Sequence, residues 1–324
     1  MNLTNAKKVI KAIEKYKTFM ITSHINLEGD ALGSELALAS LLRKLGKKAY
    51  IVNASPVPAN YGFLPGAGRV PHGLTGRNYQ AVFIIDCANK ARIGAISHLL
   101  DKSTPIINID HHIGNKNFGR INWVECGASS VGEMIYHLFK LAEVELDRHD
   151  ALNIYAALLT DTGSFRHANT TPEVLGICSE LLKFGIEPVK VYAKVYENNS
   201  VQDVKCLAEV ISNISFVCDN KVAWIKISEP EFKEIGDKPE LLDKVLDLCR
   251  CVKTVKIVVL FCQLDKGLIK VNLRSKSPIN VQRIAHVFGG GGHRFASGCI
   301  IKKGPKEAER ALLSQVKKAL TTKD

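Results

Sequence analysis

Four short segments hold the groups that could do chemistry: His24, Glu28 and Asp30 within HINLEGD, Asp86 directly after AVFII, the run Asp110-His111-His112, and Asp161 within TDTG. All of these are carboxylates or imidazoles, a donor class that suits a hard to borderline divalent ion. They outnumber the ligands that one tetrahedral site needs. Two such ions a few ångströms apart, sharing a carboxylate, activate water and stabilise in-line attack on phosphorus. The donor set therefore points to hydrolysis of phosphate esters. Each residue taken alone has an ordinary structural role open to it. Asp30 could cap a helix, Asp86 could end a strand, Asp161-Thr162-Gly163 could make a turn, and either histidine could be a satisfied core side chain. Carboxylates crowded together repel one another, however, and a metal is the usual remedy.

The elements that must position these groups alternate along the first half. Apolar, strand-like runs at 19–23, 49–52, 81–85 and 105–109 alternate with helical patterns at 31–45, 131–142, 147–159 and 171–183, which predicts a parallel sheet covered on both faces. Ser130 with Glu133 has capping-box spacing, and Thr171-Pro172-Glu173 puts proline in a first turn. Three of the chemical clusters follow predicted strands and the fourth follows a predicted helix. Ligands of open parallel sheets bind beyond the carboxyl ends of the strands, where all four clusters can converge.

The second half reads differently. Strand-like runs at 214–218, 222–227, 255–264 and 268–274 are joined at Asp219-Asn220 and Asp265-Lys266-Gly267, where hairpin turns are expected. A helix over 280–287 runs into Gly289, Gly290, Gly291 and Gly292, and another helix closes the chain. The expected organisation is α/β throughout. A parallel-sheet catalytic, metal-binding domain spans 1–187, a helical connector 188–212, and a smaller α/β substrate-binding domain with a mixed sheet 213–324, with the active site in the cleft between the domains.

Bulk properties narrow the function classes. Hydrophobic residues make up 46% and charged residues 23% of the chain, an ordinary globular balance. No apolar run approaches the ~18 residues of a membrane span, and residues 1–19 read as an amphipathic helix rather than a signal peptide. A cytoplasmic location and no membrane partner are expected. The nine cysteines are scattered and form no C-x-x-C pair, so a structural zinc site is a poor reading and buried free thiols are expected. The net charge of +12 suits a polyanionic partner, although a plain basic surface accounts for it equally well.

The motifs His24-x3-Glu28-x-Asp30, Asp86, Asp110-His111-His112 and Thr160-Asp161-Thr162-Gly163 resemble those of the DHH phosphoesterases. The stretch from Gly289 to Gly298, GGGGHRFASG, preceded by VNLRSK ending at Lys276, resembles the signature of the DHH-associated C-terminal domain. The resemblance covers nearly the whole chain. In size the chain is similar to the branch with nanoRNase and 3′-phosphoadenosine 5′-phosphate phosphatase activity, which implies short oligonucleotides of about two to five residues and that bisphosphate as substrates. It further implies two manganese ions, with magnesium or cobalt as substitutes. His24, Glu28 and Asp86 would hold the first ion; Asp30, Asp86, His111 and Asp161 would hold the second. Asp110 would orient His111, and His112 would face the substrate phosphate. Glu28 departs from the pattern, which normally has Asp there, so the first ion is expected to be shifted or held more weakly.

In the second domain, the four glycines let a backbone approach a ligand closely, and their N–H groups could cradle a phosphate. A helix C-cap would need only one of them. Arg274 offers a planar fork suited to phosphate, or else is a solvated strand residue, and His293 could bond phosphate or base. Arg166 and His167 read as a surface loop. Alternatives within the enzymes are hydrolysis of cyclic or linear di-adenylates and of polyphosphate or pyrophosphate. Outside them stands a basic nucleic-acid-binding module, which would have no need of a shared Asp86. A homodimer remains open.

Overall fold

Phe19, Met20 and Ile21 have no exposed surface, and the strand they form, β1 (Thr18–Thr22), is hydrogen-bonded on both sides. The computed structural model describes residues 3–71, 79–101, 103–235, 239–276 and 278–321. It divides into two units, Met1–Asn198 and Asn199–Asp324.

In the first unit, α1 (Leu3–Lys15) precedes β1, and α2 (Gly29–Lys44) and β2 (Lys48–Ile51) follow it. Next come β3 (Ala81–Ile85), β4 (Ile106–Asp110), β5 (Ile121–Val124), α3 (Val131–Leu141), α4 (Arg148–Asp161), α5 (Pro172–Leu182) and α6 (Pro188–Tyr196). All five strands are parallel, in the order β2-β1-β3-β4-β5. This is a doubly wound order whose switch point lies between β1 and β3, where such sheets bind ligands. One face is covered by the main core, built with α1 to α6. The other is covered by a smaller cluster that includes Ile93 and Ile96 from a 3-10 segment over Lys90–Leu99. The sheet is thus covered on both faces as expected, but one cover is not α-helical.

The second unit begins with α7 (Val201–Ser212) and continues through β6 (Ser215–Val217), β7 (Val222–Ile227), α8 (Glu229–Ile235), α9 (Pro239–Cys251), β8 (Ile257–Asp265) and β9 (Leu268–Ser275). It ends with α10 (Val281–Val287), β10 (Gly291–His293), β11 (Ala296–Ile301) and α11 (Pro305–Thr321). Its sheet runs β10-β11-β9-β8-β7-β6 and is mixed, with only β7 and β8 parallel. Cores lie on both faces, one built with α7 and α9, the other with α10 and α11. The β6–β7 turn takes Cys218, Asp219 and Asn220 at positive φ, and Asp and Asn tolerate that conformation better than most side chains.

The connector expected over 188–212 is divided between the units. Val191 and Val195 of α6 join the first core, while Cys206 and Val210 of α7 join a core of the second. All nine cysteines are free, and six are buried. Among the described residues no helix is long and apolar enough to cross a membrane.

Candidate metal centre

The strand ends and helix ends bring the first-unit donors together. His24 follows β1, Asp86 follows β3 with its backbone in the left-handed region (φ 51°), and Asp110 closes β4. Glu28 is the N-cap residue of α2, but its side chain makes no capping bond and is about half exposed. Asp30 lies in the first turn of α2 and caps a different helix. Its carboxylate accepts the Val131 and Gly132 amides, at 2.7 and 2.9 Å, which open α3, and the Ser34 hydroxyl at 2.9 Å. The helix N-terminus favours that negative charge. Asp161 is the last residue of α4, beyond which Gly163, Ser164 and Phe165 all have positive φ, a tight and strained exit.

Two groups of donors share Asp86. His24 Nε2 lies 3.3 Å from Asp86 Oδ2 and 3.7 Å from Glu28 Oε1. His111 Nε2 lies 3.6 Å from Asp86 Oδ1 and 3.8 Å from both Asp30 Oδ2 and Asp161 Oδ2. Asp86 Oδ2 therefore faces His24, while Oδ1 faces His111 and also His112 Nδ1, at 3.5 Å. Although these atoms are within ion-pairing range, both Asp86 oxygens and both His24 ring nitrogens are buried without an aligned hydrogen bond. An unsatisfied buried polar atom costs ~1–3 kcal/mol, and a bound cation would relieve several at once. The chemistry of the donor set and its orphaned atoms fit two divalent ions.

The titration behaviour has the same cause. Burial opposes charge on His24, but the Asp86 and Glu28 carboxylates outweigh it and raise the pKa to about 9. His111 is likewise raised well above its usual value, with Asp161, Asp86 and Asp30 overcoming burial. Asp86 is held well below the carboxylate range despite burial, because His111 and His24 flank it. Burial, reinforced by Asp86, pushes Asp30 up to about 7, and burial also raises Asp161 well above its usual value. Protons thus supply the positive charge that cations would supply.

The orienting contacts differ from those implied by the family resemblance. Asp110 Oδ1 holds His112, accepting from Nδ1 at 2.8 Å, whereas His111 Nδ1 faces the Ala128 carbonyl at 3.2 Å. His112 outweighs burial and lowers the Asp110 pKa. The reason is direction: Asp110 still belongs to the strand, and its side chain reaches the residue two positions on. Its other oxygen is taken by Asn115, which also bonds Asn108.

Sequence reasoning did not single out Asn115, nor Asn169, whose amide donates to the Ser129 carbonyl, the Asp161 carbonyl and Asp161 Oδ2. It also missed Glu35, which is fully buried, bonded to Asn53 at 2.7 Å and pushed by burial to about 8. Asn53 in turn accepts the Ser23 amide beside His24. A charged residue among the apolar positions of α2 was the available signal for Glu35; the asparagines carried none. Arg166 folds back, donating from Nε to the Gly163 carbonyl at 2.8 Å.

In the second unit, Arg274 lies on β9, donating to Asp243 of α9 at 2.6 Å and to the Leu273 carbonyl at 3.2 Å. His293 closes β10. Three of the four glycines have structural reasons. Gly289 takes φ 72° after α10, and a Cβ at Gly290 or Gly292 would meet the Gly298 or Ala296 carbonyl at 2.2 or 2.6 Å. Gly291 is exposed, and a Cβ there would meet nothing within 4 Å. Gly291 is thus the one of the four for which the backbone and its surroundings give no such reason.

Comparison with known proteins adds three findings. Residues 18–160 match the DHH family N-terminal domain and residues 219–322 match the DHHA1 domain. A Thermus thermophilus protein named bifunctional oligoribonuclease and PAP phosphatase NrnA is 30% identical over 320 residues, covering 97% of this chain and 93% of that protein. The Bacillus subtilis protein of the same name is 28% identical over 310 residues, covering 94% and 96%. Among solved structures, an exopolyphosphatase-related protein from Bacteroides fragilis matches with a TM-score of 0.84 at 25% identity over 96% of each chain.

Proposed function

Because this chain belongs to the DHH family and carries the DHHA1 domain, it is a hydrolytic phosphoesterase, and we propose that it cleaves short oligoribonucleotides to mononucleotides and converts 3′-phosphoadenosine 5′-phosphate to AMP. Its likeness, over nearly the full length, to two proteins named for both activities supports this choice of substrates. The observation that carries the catalytic reading is Asp86, whose two buried oxygens face different imidazoles and make no hydrogen bond.

His24, Glu28 and Asp86 would hold one divalent ion, and Asp30, Asp86, His111 and Asp161 the other, manganese being the ion we propose. Such a pair supplies an activated water and neutralises charge developing on the phosphoryl oxygens. The chain's own residues supply orientation. The Ala128 carbonyl fixes the His111 tautomer with Nδ1 protonated, which turns the lone pair of Nε2 toward the three carboxylates. The α3 amides and Asn169 hold Asp30 and Asp161 in place. Asp110 accepts from Nδ1 of His112, and in our reading Nε2 of that ring bonds a substrate phosphate oxygen. In the second unit, Arg274, Gly291 and His293 recognise the nucleotide, so Arg274 must exchange Asp243 for phosphate.

The name of the Bacteroides fragilis neighbour favours polyphosphate as the second reading. One assay separates the two. Chelated protein, with and without manganese, is given a trinucleotide RNA, 3′-phosphoadenosine 5′-phosphate, linear di-adenylate, polyphosphate and pyrophosphate. Manganese-dependent turnover of the first two supports the proposal; turnover confined to the last two overturns it. Asp86→Asn keeps the side-chain volume and tolerates the left-handed backbone, yet should lose more than the ~10²–10³-fold typical of one missing transition-state donor. A folded Asp86→Asn protein retaining a tenth of wild-type turnover would contradict the shared-carboxylate centre.

A further inference from the structure

Away from the strand ends, a second group of donors converges between α3 and α5. Glu133 and His137 are four residues apart on α3, so they lie on one face of the helix. Glu173 projects from the first turn of α5. A ligand atom from each of the three lies within 4.8 Å of the others. None of the three belongs to the group around Asp86.

We propose that Glu133, His137 and Glu173 form a separate divalent-cation site of the one-imidazole, two-carboxylate kind that takes zinc, and that the ion pins α3 to α5.

Two observations distinguish this cluster from a plain ion pair. His137 Nε2 lies 3.0 Å from Glu173 Oε1, yet it is buried and makes no aligned hydrogen bond. A simple imidazolium–carboxylate pair would point its N–H at the oxygen. Ligand atoms on a common zinc, each ~2.0–2.2 Å from it, sit roughly 3.4 Å apart and point at the ion, not at each other. The second observation is Glu133. Its side chain is only 4% exposed, and among the described residues no lysine or arginine pairs with it. One of its oxygens accepts the Ser129 amide at 2.7 Å, which fixes the carboxylate at the start of α3. A buried carboxylate without a cationic partner is costly, and a cation shared with His137 and Glu173 supplies that partner. Glu173 is half exposed, so its side chain can make the small adjustment that closes the three donors on one ion, with water as the fourth ligand.

The site would also act on the loop before α3. Glu133 holds Ser129, the Ser129 carbonyl accepts from Asn169, and the neighbouring Ala128 carbonyl holds His111. An ion at Glu133 would therefore stiffen the turn that orients His111.

The test uses the full chain with His24→Ala and His111→Ala together, to weaken binding at the strand ends. The chelated protein is titrated with zinc alone, and bound metal is counted after dialysis. We expect one zinc per chain, a rise in Tm with zinc, and at least a tenfold loss of zinc affinity, with the Tm rise abolished, when Glu173→Gln or His137→Ala is added. Glu173→Gln is a conservative change at a half-exposed position, and it decides the matter if His137→Ala fails to fold. Equal zinc count and affinity with and without Glu173→Gln, or no zinc bound by the starting protein, would overturn the proposal.

Discussion

Asp86 is a buried carboxylate among three imidazoles, and a cation entering there must displace protons. Asp30 near 7, His24 near 9 and His111 raised above its usual value all hold protons more tightly than the free side chains do. Metal binding requires their release, so affinity rises as pH climbs through these values and falls below about 7. Calorimetry of manganese binding in two buffers of different ionisation enthalpy should show protons released at pH 7 and fewer at pH 9; pH-independent affinity between them would contradict the assignment. Glu28 invites a milder test. It makes no capping bond and is half exposed, so Glu28→Asp should remain active with the affinity of one ion changed, and complete inactivity at saturating manganese would show that Glu28 is no simple substitute. The donors were legible because four clusters of acids and histidines stand where strands and one helix end. Their orienting partners were not. Asp110 pairs with His112 rather than His111, and Asn115 and Asn169 act from loops whose paths depend on tertiary packing, which local residue patterns do not encode.

Helices α2 and α4 carry Asp30 and Asp161, and their close approach explains Gly33. A Cβ there would meet the Asn153 carbonyl at 2.4 Å and the Ala157 Cβ at 3.3 Å. Backbone cannot yield as a flexible side chain can, so Gly33→Ala must push the helices apart at a cost of ~1–3 kcal/mol. The variant should show a lower Tm and, on the proposed ligand set, weaker manganese binding, since the helices carrying Asp30 and Asp161 both shift; an unchanged Tm would mean that the crossing tolerates the added Cβ. Strands β1 to β4 were readable from their apolar runs to within a residue or two at their ends. Strand β5 (Ile121–Val124) was not: it is no shorter than β2, but only Trp123 of its four side chains is fully buried, so it lacks an apolar run. The glycine-rich β10 and the start of β11 have little strand propensity of their own and form by pairing. Helix α9 was overlooked although its pattern is present, with Leu241, Leu242, Val245, Leu246 and Cys249 buried at helical spacing.

Over the whole molecule, the net charge of +12 on 324 residues would draw RNA of any length only weakly and in a salt-dependent way. Attraction alone does not select length. Proteins that track long single strands stack successive bases on aromatic side chains, and with aromatic content at 7% the sequence shows no such ladder. The ring pairs around Phe19, Phe83, Tyr155 and Trp224 include buried core side chains. The proposed function therefore expects a long strand to gain charge contacts but no ordered track, and a short one to be recognised through the groups nearest its scissile phosphate. The most direct measurement is kcat/KM for RNAs of roughly two to twenty-five residues, with manganese restored and ionic strength fixed. The account predicts highest values at about two to five residues and a decline of tenfold or more toward the longest strands, while a flat or rising profile would contradict it and indicate a processive exonuclease.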